Sequence, residues 1–184
     1  MAQSKWFRKV TSSIIFSLLI FTTISVKANE CAMQTSRKGF YLAGAGLVGS
    51  EAIQNKKFSI GAGLRIGGGI TEKVLLYVEG IGSVVDQGTL QNLLTFDGQL
   101  KTQIFLWEGL YTNFGAGVAV GRVQTATILL SSAKAGFGVS GGAGYEFRVG
   151  RKFFVAPEFQ VRYQRLAGTS YLTPGIGGQI GWHF

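Results

Sequence analysis

After residue 38, apolar residues alternate with small or polar ones at a period of two, in one segment after another. In residues 58–67, one face is aliphatic and aromatic, whereas the other carries glycine, serine and a single arginine, Arg65. A period of two places successive side chains on opposite faces of an extended strand. Because interior glycine also weakens helices, the pattern predicts β-strands.

Eight segments carry this alternation. Five are clear, at residues 58–67, 110–121, 137–148, 153–163 and 175–184, and three are weaker, at 39–49, 74–85 and 99–107. Longer connections expected near residues 50–56, 86–98, 122–134 and 165–170 alternate with short ones near 69–73, 108–109 and 150–151. Such alternation is typical of transmembrane barrels, whose turns are short at one end and longer at the other.

The polar face of these strands decides the fold class. The 28 glycines are about twice the usual share, and a solvated face would carry more long charged side chains. We therefore expect this face to line a narrow packed lumen and the apolar face to meet lipid. Strands span a bilayer only as a closed barrel, and eight strands leave an interior that side chains fill. The prediction is an all-β, eight-stranded, antiparallel up-and-down transmembrane barrel.

A secretory leader precedes the alternating region. Lys5, Arg8 and Lys9 are followed by an apolar run at 14–24 and then by Val26-Lys27-Ala28, the three parts of a signal peptide. The run is too short for a transmembrane helix, which needs roughly 20 residues. We expect residues 1–28 to be cleaved after Ala28, leaving a short tail at 29–38 and a barrel domain at 39–184.

Cys31 is the single cysteine of the chain, so no intramolecular disulfide can form. It lies close to the expected cleavage site, where a lipid anchor is conceivable. Glu30 precedes it, however, where a lipoprotein signal has a small residue, so a free thiol in the tail is the expectation.

Charged residues recur on the face assigned to the lumen. This lumen set has three residues of each sign: Arg65, Glu79, Glu146, Arg148, Glu158 and Arg162. Charges in so narrow a space need partners, because an isolated buried charge is strongly destabilising. We expect an internal salt-bridge network that includes an Arg65–Glu79 pair on neighbouring strands. The alternative is that water separates the charges.

Pro157 falls within the seventh predicted strand. It removes a ladder donor, and a closed barrel has no edge to accommodate that loss, so a local bulge is expected there.

Candidate catalytic and cofactor sites are few. Residues 136–141 match G-x-G-x-x-G, but the dinucleotide motif needs a strand-turn-helix context, which an alternating strand does not provide. His183, the only histidine, is expected to face inward and has no serine beside it. One histidine and one cysteine are too few for a metal site. We expect no enzyme activity, no cofactor and no metal.

The predicted loops contain two apolar stretches, at 90–96 and 127–130. Exposed apolar residues can mark partner binding, although strand extension or packing over the barrel mouth is the favoured interpretation. Basic residues cluster near the outer strand ends: Lys56, Lys57, Arg122, Lys134 and Arg165. They could bind lipopolysaccharide phosphates or form an ordinary solvated rim.

Two segments resemble a known family. Residues 39–46, GFYLAGAG, resemble the first strand of OmpA-like and OmpX-like outer-membrane β-barrel domains, and Trp182 and Phe184 resemble the terminal signal read by the barrel-assembly machinery. The resemblance implies insertion by that machinery, termini in the periplasm and extracellular loops that contact hosts or other cells. The chain departs from the OmpA pattern by stopping at the barrel, so peptidoglycan anchoring is not expected.

Together these features predict a non-enzymatic integral protein of the bacterial outer membrane, in contact with lipid and lipopolysaccharide and not with nucleic acid. Its role would be envelope integrity or surface interaction through four loops. The alternatives are a minor small-solute pore, a secreted lipocalin-like ligand binder and a lipid A-modifying enzyme.

Overall fold

The computed structural model describes residues 37–53, 57–86, 91–125 and 133–184. The predicted leader at 1–28 and Cys31 lie outside these residues and stay predictions. The described chain forms nine β-segments: β1 (Gly39–Glu51), β2 (Lys57–Gly69), β3 (Val74–Asp86), β4 (Gln91–Trp107), β5 (Leu110–Thr125), β6 (Lys134–Tyr145), β7 (Phe147–Val149), β8 (Phe153–Leu166) and β9 (Thr169–His183). Within the described residues, no helix is long and apolar enough to cross a membrane.

The strands close into a barrel. Consecutive strands pair antiparallel from β1 to β6, β9 pairs with both β8 and β1, and β6 pairs with β8. β6 and β7 pair with β8 in one unbroken register, so together they make a single barrel strand. The prediction of an eight-stranded antiparallel barrel is confirmed.

The two ends of the barrel differ in what they carry. One end, here the terminal rim, holds the start of β1, the end of β9 and the connections at residues 70–73, 108–109 and 150–152. The other end, the loop rim, holds the ends of β1, β3 and β5, the starts of β2, β4 and β6, and the turn at residues 167–168.

The side chains alternate across the barrel wall as the sequence predicts. Large aliphatic residues face outward, where Val118 is 67% exposed. Polar and charged residues face inward, where the Lys101 residue is 0% exposed. A water-soluble barrel would have the reverse arrangement, with its apolar face inside.

Two of the predicted long connections are wrong. The segment expected near residues 86–98 is mostly strand, because β4 already begins at Gln91. The connection expected near 165–170 is a two-residue turn, Ala167–Gly168, with positive φ at both residues. This geometry suits a tight hairpin, which the absence of an Asn-Gly or Asp-Gly pair concealed.

The apolar stretch near the start of β4 is a strand extension, as favoured from the sequence. Leu93 points into the lumen and is buried, whereas Leu94 and Phe96 face outward. The second apolar stretch, at 127–130, lies outside the described residues.

The bulge expected at Pro157 is also wrong. The residue pairs with Gly178 on β9 without a register shift, and the register on the other side is the same before and after it. The Pro157 carbonyl lies against Gly144 of β6, so the missing N–H faces that strand. The ladder therefore breaks at Glu146, between β6 and β7, and no residue is inserted.

Candidate functional site

The lumen is the part of the molecule where polar chemistry concentrates. Its midsection holds six ionisable side chains, here the central cluster, with three residues of each sign: Arg65, Glu79, Asp97, Lys101, Glu158 and Arg162. They come from four barrel strands, β2, β3, β4 and β8, and all are buried. Pairing is therefore required, since buried charges without partners are costly.

Glu79 connects all three cations of the central cluster. Its Oε2 accepts from Arg65 Nε at 2.6 Å, and its Oε1 accepts from Arg162 at 2.6 Å and from Lys101 at 3.3 Å. The predicted Arg65–Glu79 pair is confirmed, and water does not separate these two groups.

The other two carboxylates complete the cluster from either side. Glu158 accepts both terminal nitrogens of Arg65, at 2.5 and 3.0 Å, in the two-point geometry that suits a guanidinium. Asp97 accepts from Arg162 at 3.4 Å and from the Gln164 amide at 2.6 Å.

Neutral side chains extend the hydrogen bonding towards the terminal rim. Tyr111 donates its hydroxyl to Glu158 at 3.0 Å and accepts from Gln179 at 3.0 Å. Gln179 in turn accepts from the Tyr41 hydroxyl. A connected polar network thus runs from Tyr41 to Gln164 along the lumen.

The remaining two residues of the predicted lumen set lie elsewhere. Glu146 and Arg148 join Arg37 and His183 in a second group at the terminal rim, here the mouth cluster. Glu146 accepts from Arg148 at 2.9 Å and from Arg37 at 3.2 Å, and it lies 3.3 Å from His183 Nε2. The six predicted charges therefore form two clusters, not one network.

Arg37 connects the segment before β1 to residues on the other side of the barrel mouth. Besides Glu146, its guanidinium donates to the Glu108 carbonyl at 2.6 Å and lies 3.8 Å from the centre of the Phe105 ring. Its backbone N–H donates to Glu72 at 2.9 Å. Burial lowers the pKa of Arg37, and the charge of Glu146 opposes that shift.

Apolar and aromatic side chains close the lumen on either side of the central cluster. Near the terminal rim, an aromatic floor is formed by Tyr41, Tyr77, Phe105, Tyr111 and Phe154, all buried. Near the loop rim, Val85, Leu93 and Leu166 are buried and form an aliphatic lid, with Gly121 leaving space beside the two leucines. Buried side chains therefore cross the described lumen near both rims and at its midsection.

The basic residues predicted to meet lipopolysaccharide do not form one patch. Arg122 and Arg165 are exposed and face outward on β5 and β8, whereas the register places Lys57 and Lys134 on the lumen-facing side at the loop rim. Lys56 lies outside the described residues. Their contact with lipopolysaccharide stays a prediction.

His183 faces the lumen, as predicted, and packs against Tyr41 and Phe154. Its Nε2 lies 3.3 Å from Glu146 Oε2. Within the described residues, no group of three or more His, Cys, Asp or Glu side chains could hold a metal ion.

Sequence reasoning missed three charged residues of these clusters. Asp97 and Lys101 both lie on β4, at alternating inward positions that the period of two could have found. The strand was assigned only from residue 99, and the start of β4 was read as a loop. Arg37 precedes the first strand, so no periodicity indicates its position.

Solved structures share this fold. The barrel is similar to Neisserial surface protein A, NspA, with a TM-score of 0.58 and 11% identity over 79% of this chain and 97% of that one. It is also similar to the outer membrane enzyme PagL, with a TM-score of 0.50 and 15% identity over 74% and 97% of the two chains. A weaker likeness, with a TM-score of 0.49 and 14% identity over 80% and 99%, is to the attachment invasion locus protein Ail of Yersinia pestis.

At these identities the likeness concerns the fold alone. No protein-family model matches the sequence, and no curated protein matches it. The eight-stranded architecture implied by the OmpA-like and OmpX-like resemblance is confirmed, whereas membership of that family stays a prediction.

Proposed function

We propose that this chain is an integral protein of the bacterial outer membrane. Its own side chains close the barrel lumen. It serves envelope integrity or surface interaction and does not catalyse a reaction. The arrangement of the two faces of the wall is the observation that carries the proposal. Outward residues such as Leu64, Leu100 and Val118 are exposed and aliphatic, as hydrocarbon contact requires.

The closed lumen supports a role other than transport. A conducting pore needs a continuous aqueous path, and here three layers of side chains interrupt it: the aliphatic lid, the central cluster and the aromatic floor. The balanced charges of the central cluster are held in direct pairs, so the midsection carries no net charge to attract ions. The minor-pore alternative is therefore disfavoured.

The fold is shared with an outer membrane enzyme, PagL, so catalysis needs a separate argument. The one buried histidine and carboxylate pair, His183 and Glu146, lies inside the terminal rim. Both side chains are buried in the lumen and neither faces the outward, lipid-contacting surface. This position supports the non-enzymatic proposal.

Two measurements test the proposal. After expression in a Gram-negative host and fractionation, the processed chain should be in the outer membrane and should migrate differently on gels before and after heating. Purified protein in planar bilayers should then give no stable conductance. Stable nanosiemens steps would contradict the sealed lumen, and a monodisperse aqueous species without detergent would contradict the membrane location.

A lipid A-modifying role has its own test. Mass spectrometry of lipid A from cells with and without the expressed chain should give identical spectra. A new deacylated or acylated species that disappears in the His183→Gln variant would overturn the non-enzymatic proposal.

A further inference from the structure

Six of the outward aromatic residues of the terminal rim are gathered on one side of the barrel. They form three ring pairs on four adjacent barrel strands: Tyr145 with Phe147, Phe153 with Trp182, and Phe184 with Phe40. Their ring centroids are 4.7, 5.4 and 5.9 Å apart, respectively. These six residues are here the aromatic platform. Aromatic rings at this depth suit the boundary between hydrocarbon and headgroups.

Two exposed cations lie in a turn of the platform. The turn between β7 and β8 carries Arg151 and Lys152, both exposed. The Lys152 ammonium lies 5.6 Å from the centre of the Phe184 ring, which itself faces outward. The ammonium is therefore held over the outer, lipid-contacting side of the rim and does not turn into the lumen.

Two acidic residues of this rim lie away from the platform. Glu72 is in the β2–β3 turn and Glu108 in the β4–β5 turn, on strands that the platform does not use. The β7–β8 turn beside the rings thus carries exposed cations without a carboxylate, whereas the β2–β3 turn carries Glu72 together with the exposed Lys73.

We infer that the aromatic platform with Arg151 and Lys152 binds the anionic headgroup of a phospholipid in the leaflet that surrounds the terminal rim. The inference rests on the proposed membrane location. The rings hold the glycerol and upper acyl region of the lipid, while the guanidinium and the ammonium bind the phosphate. A basic residue near an anionic lipid surface strengthens binding about fivefold, so phosphatidylglycerol binds more tightly than zwitterionic phosphatidylcholine.

The chain supplies a matched pair of reporters. Trp182 is part of the platform, and Trp107, which is 73% exposed, lies at the same rim on β4, outside it. The third tryptophan, Trp6, belongs to the predicted leader. Full-length chains with Trp6→Phe and either Trp107→Phe or Trp182→Phe each retain one reporter.

The experiment measures quenching of each reporter in phosphatidylcholine vesicles that contain brominated phosphatidylglycerol or, at the same mole fraction, brominated phosphatidylcholine. For Trp182 we expect the apparent affinity for phosphatidylglycerol to be at least about fivefold higher than for phosphatidylcholine. For Trp107 we expect equal quenching by the two lipids. The double variant Arg151→Gln/Lys152→Gln should abolish the preference at Trp182, whereas Lys73→Gln, in the β2–β3 turn, should leave it intact.

Equal quenching of Trp182 by both lipids would overturn the inference, as would a preference that survives in the double variant or is shared by Trp107. If a protein were the true occupant, Trp182 would show no lipid preference, which is the first of these results. Absence of quenching by either lipid at both tryptophans would instead mean that the proposed membrane location fails.

Discussion

Glu79 and Glu146 are two buried glutamates that each contact three basic residues, in different surroundings. Glu79 contacts Arg65, Lys101 and Arg162, all buried within barrel strands. Glu146 contacts His183 and two arginines that reach solvent, since the side chains of Arg37 and Arg148 are 17% and 20% exposed.

The difference shows how solvent access determines what an ion pair contributes to the free energy of unfolding. The partners of Glu79 cannot turn to water when the carboxylate is lost, whereas Arg37 and Arg148 can. A buried pair broken at one partner is strongly destabilising, but a pair at the surface contributes little. The central cluster should therefore be essential to the stability of the barrel, whereas the mouth cluster should stabilise only its terminal rim.

The largest expected effect is that of Glu79→Gln. Three buried cations lose their common partner, so the free energy of unfolding should fall by about 3–5 kcal/mol. Urea unfolding in lipid vesicles, followed by tryptophan fluorescence and gel mobility, measures the change. Glu108→Gln, at the exposed rim, is the matched control and should unfold like the native chain. A loss under about 1 kcal/mol for Glu79→Gln would mean that the two clusters contribute similarly to stability, which would contradict the account.

A second effect tests whether tight packing also distinguishes the midsection. Gly117 faces the lumen, and a Cβ there would meet the Gly98 carbonyl and lie 2.7 Å from Gln99 Cα. Gly117→Ala should cost about 1–3 kcal/mol. Gly44→Ala is the control, because nothing lies within 4 Å of a Cβ on that outward glycine. Similar stability of the two variants would contradict a closely packed lumen.

Glu146→Gln repeats the first substitution in the mouth cluster. Because two of its partners can rehydrate, the loss should be about 1–2 kcal/mol, clearly below that of Glu79→Gln in the same urea experiment. Equal losses at the two glutamates would show that solvent access does not decide their contributions.

Arg37→Gln should cost about 1 kcal/mol or less at low salt. Raising the salt concentration should reduce that loss, since mobile ions screen partly exposed charges, while leaving the effect of Glu79→Gln unchanged. Lys73→Gln, at the same rim, serves as the control. A loss of stability that does not change with salt would mean that Arg37 behaves like the buried cations of the central cluster.

The smallest effect concerns the backbone beside Glu146. Pro157→Ala restores an N–H that faces Tyr145, so it should stabilise the barrel by about 0.5 kcal/mol. Hydrogen exchange should then show a protected amide at residue 157. A rapidly exchanging amide there would mean that the ladder is open for a reason other than proline.

Periodicity predicted much of this architecture, because one face of every strand is apolar and the other is small or polar. It found the inward positions of Arg65, Glu79 and Glu158 and the pairing of the first two. Register decided the rest: Arg65 contacts Glu158 across the lumen, on a strand remote in sequence, and no local pattern specifies such a contact.

Errors arose where the local signal was weak. At the start of β4 the sequence predicts a loop, which hid Asp97, and near residues 165–170 it predicts a longer connection than the two-residue turn of the structure. Pro157 was expected to shift the register, but strong pairing with β9 on its other side keeps the strand in place.

The most direct test of the account is the environment of an outward residue. A nitroxide attached at Val78→Cys, in a Cys31→Ser chain reconstituted in vesicles, reports on a position that is 58% exposed in the middle of β3. The account predicts frequent collisions with oxygen and few with a water-soluble nickel complex, with the reverse at a Lys73→Cys control in the β2–β3 turn. Frequent nickel collisions at position 78 would contradict it.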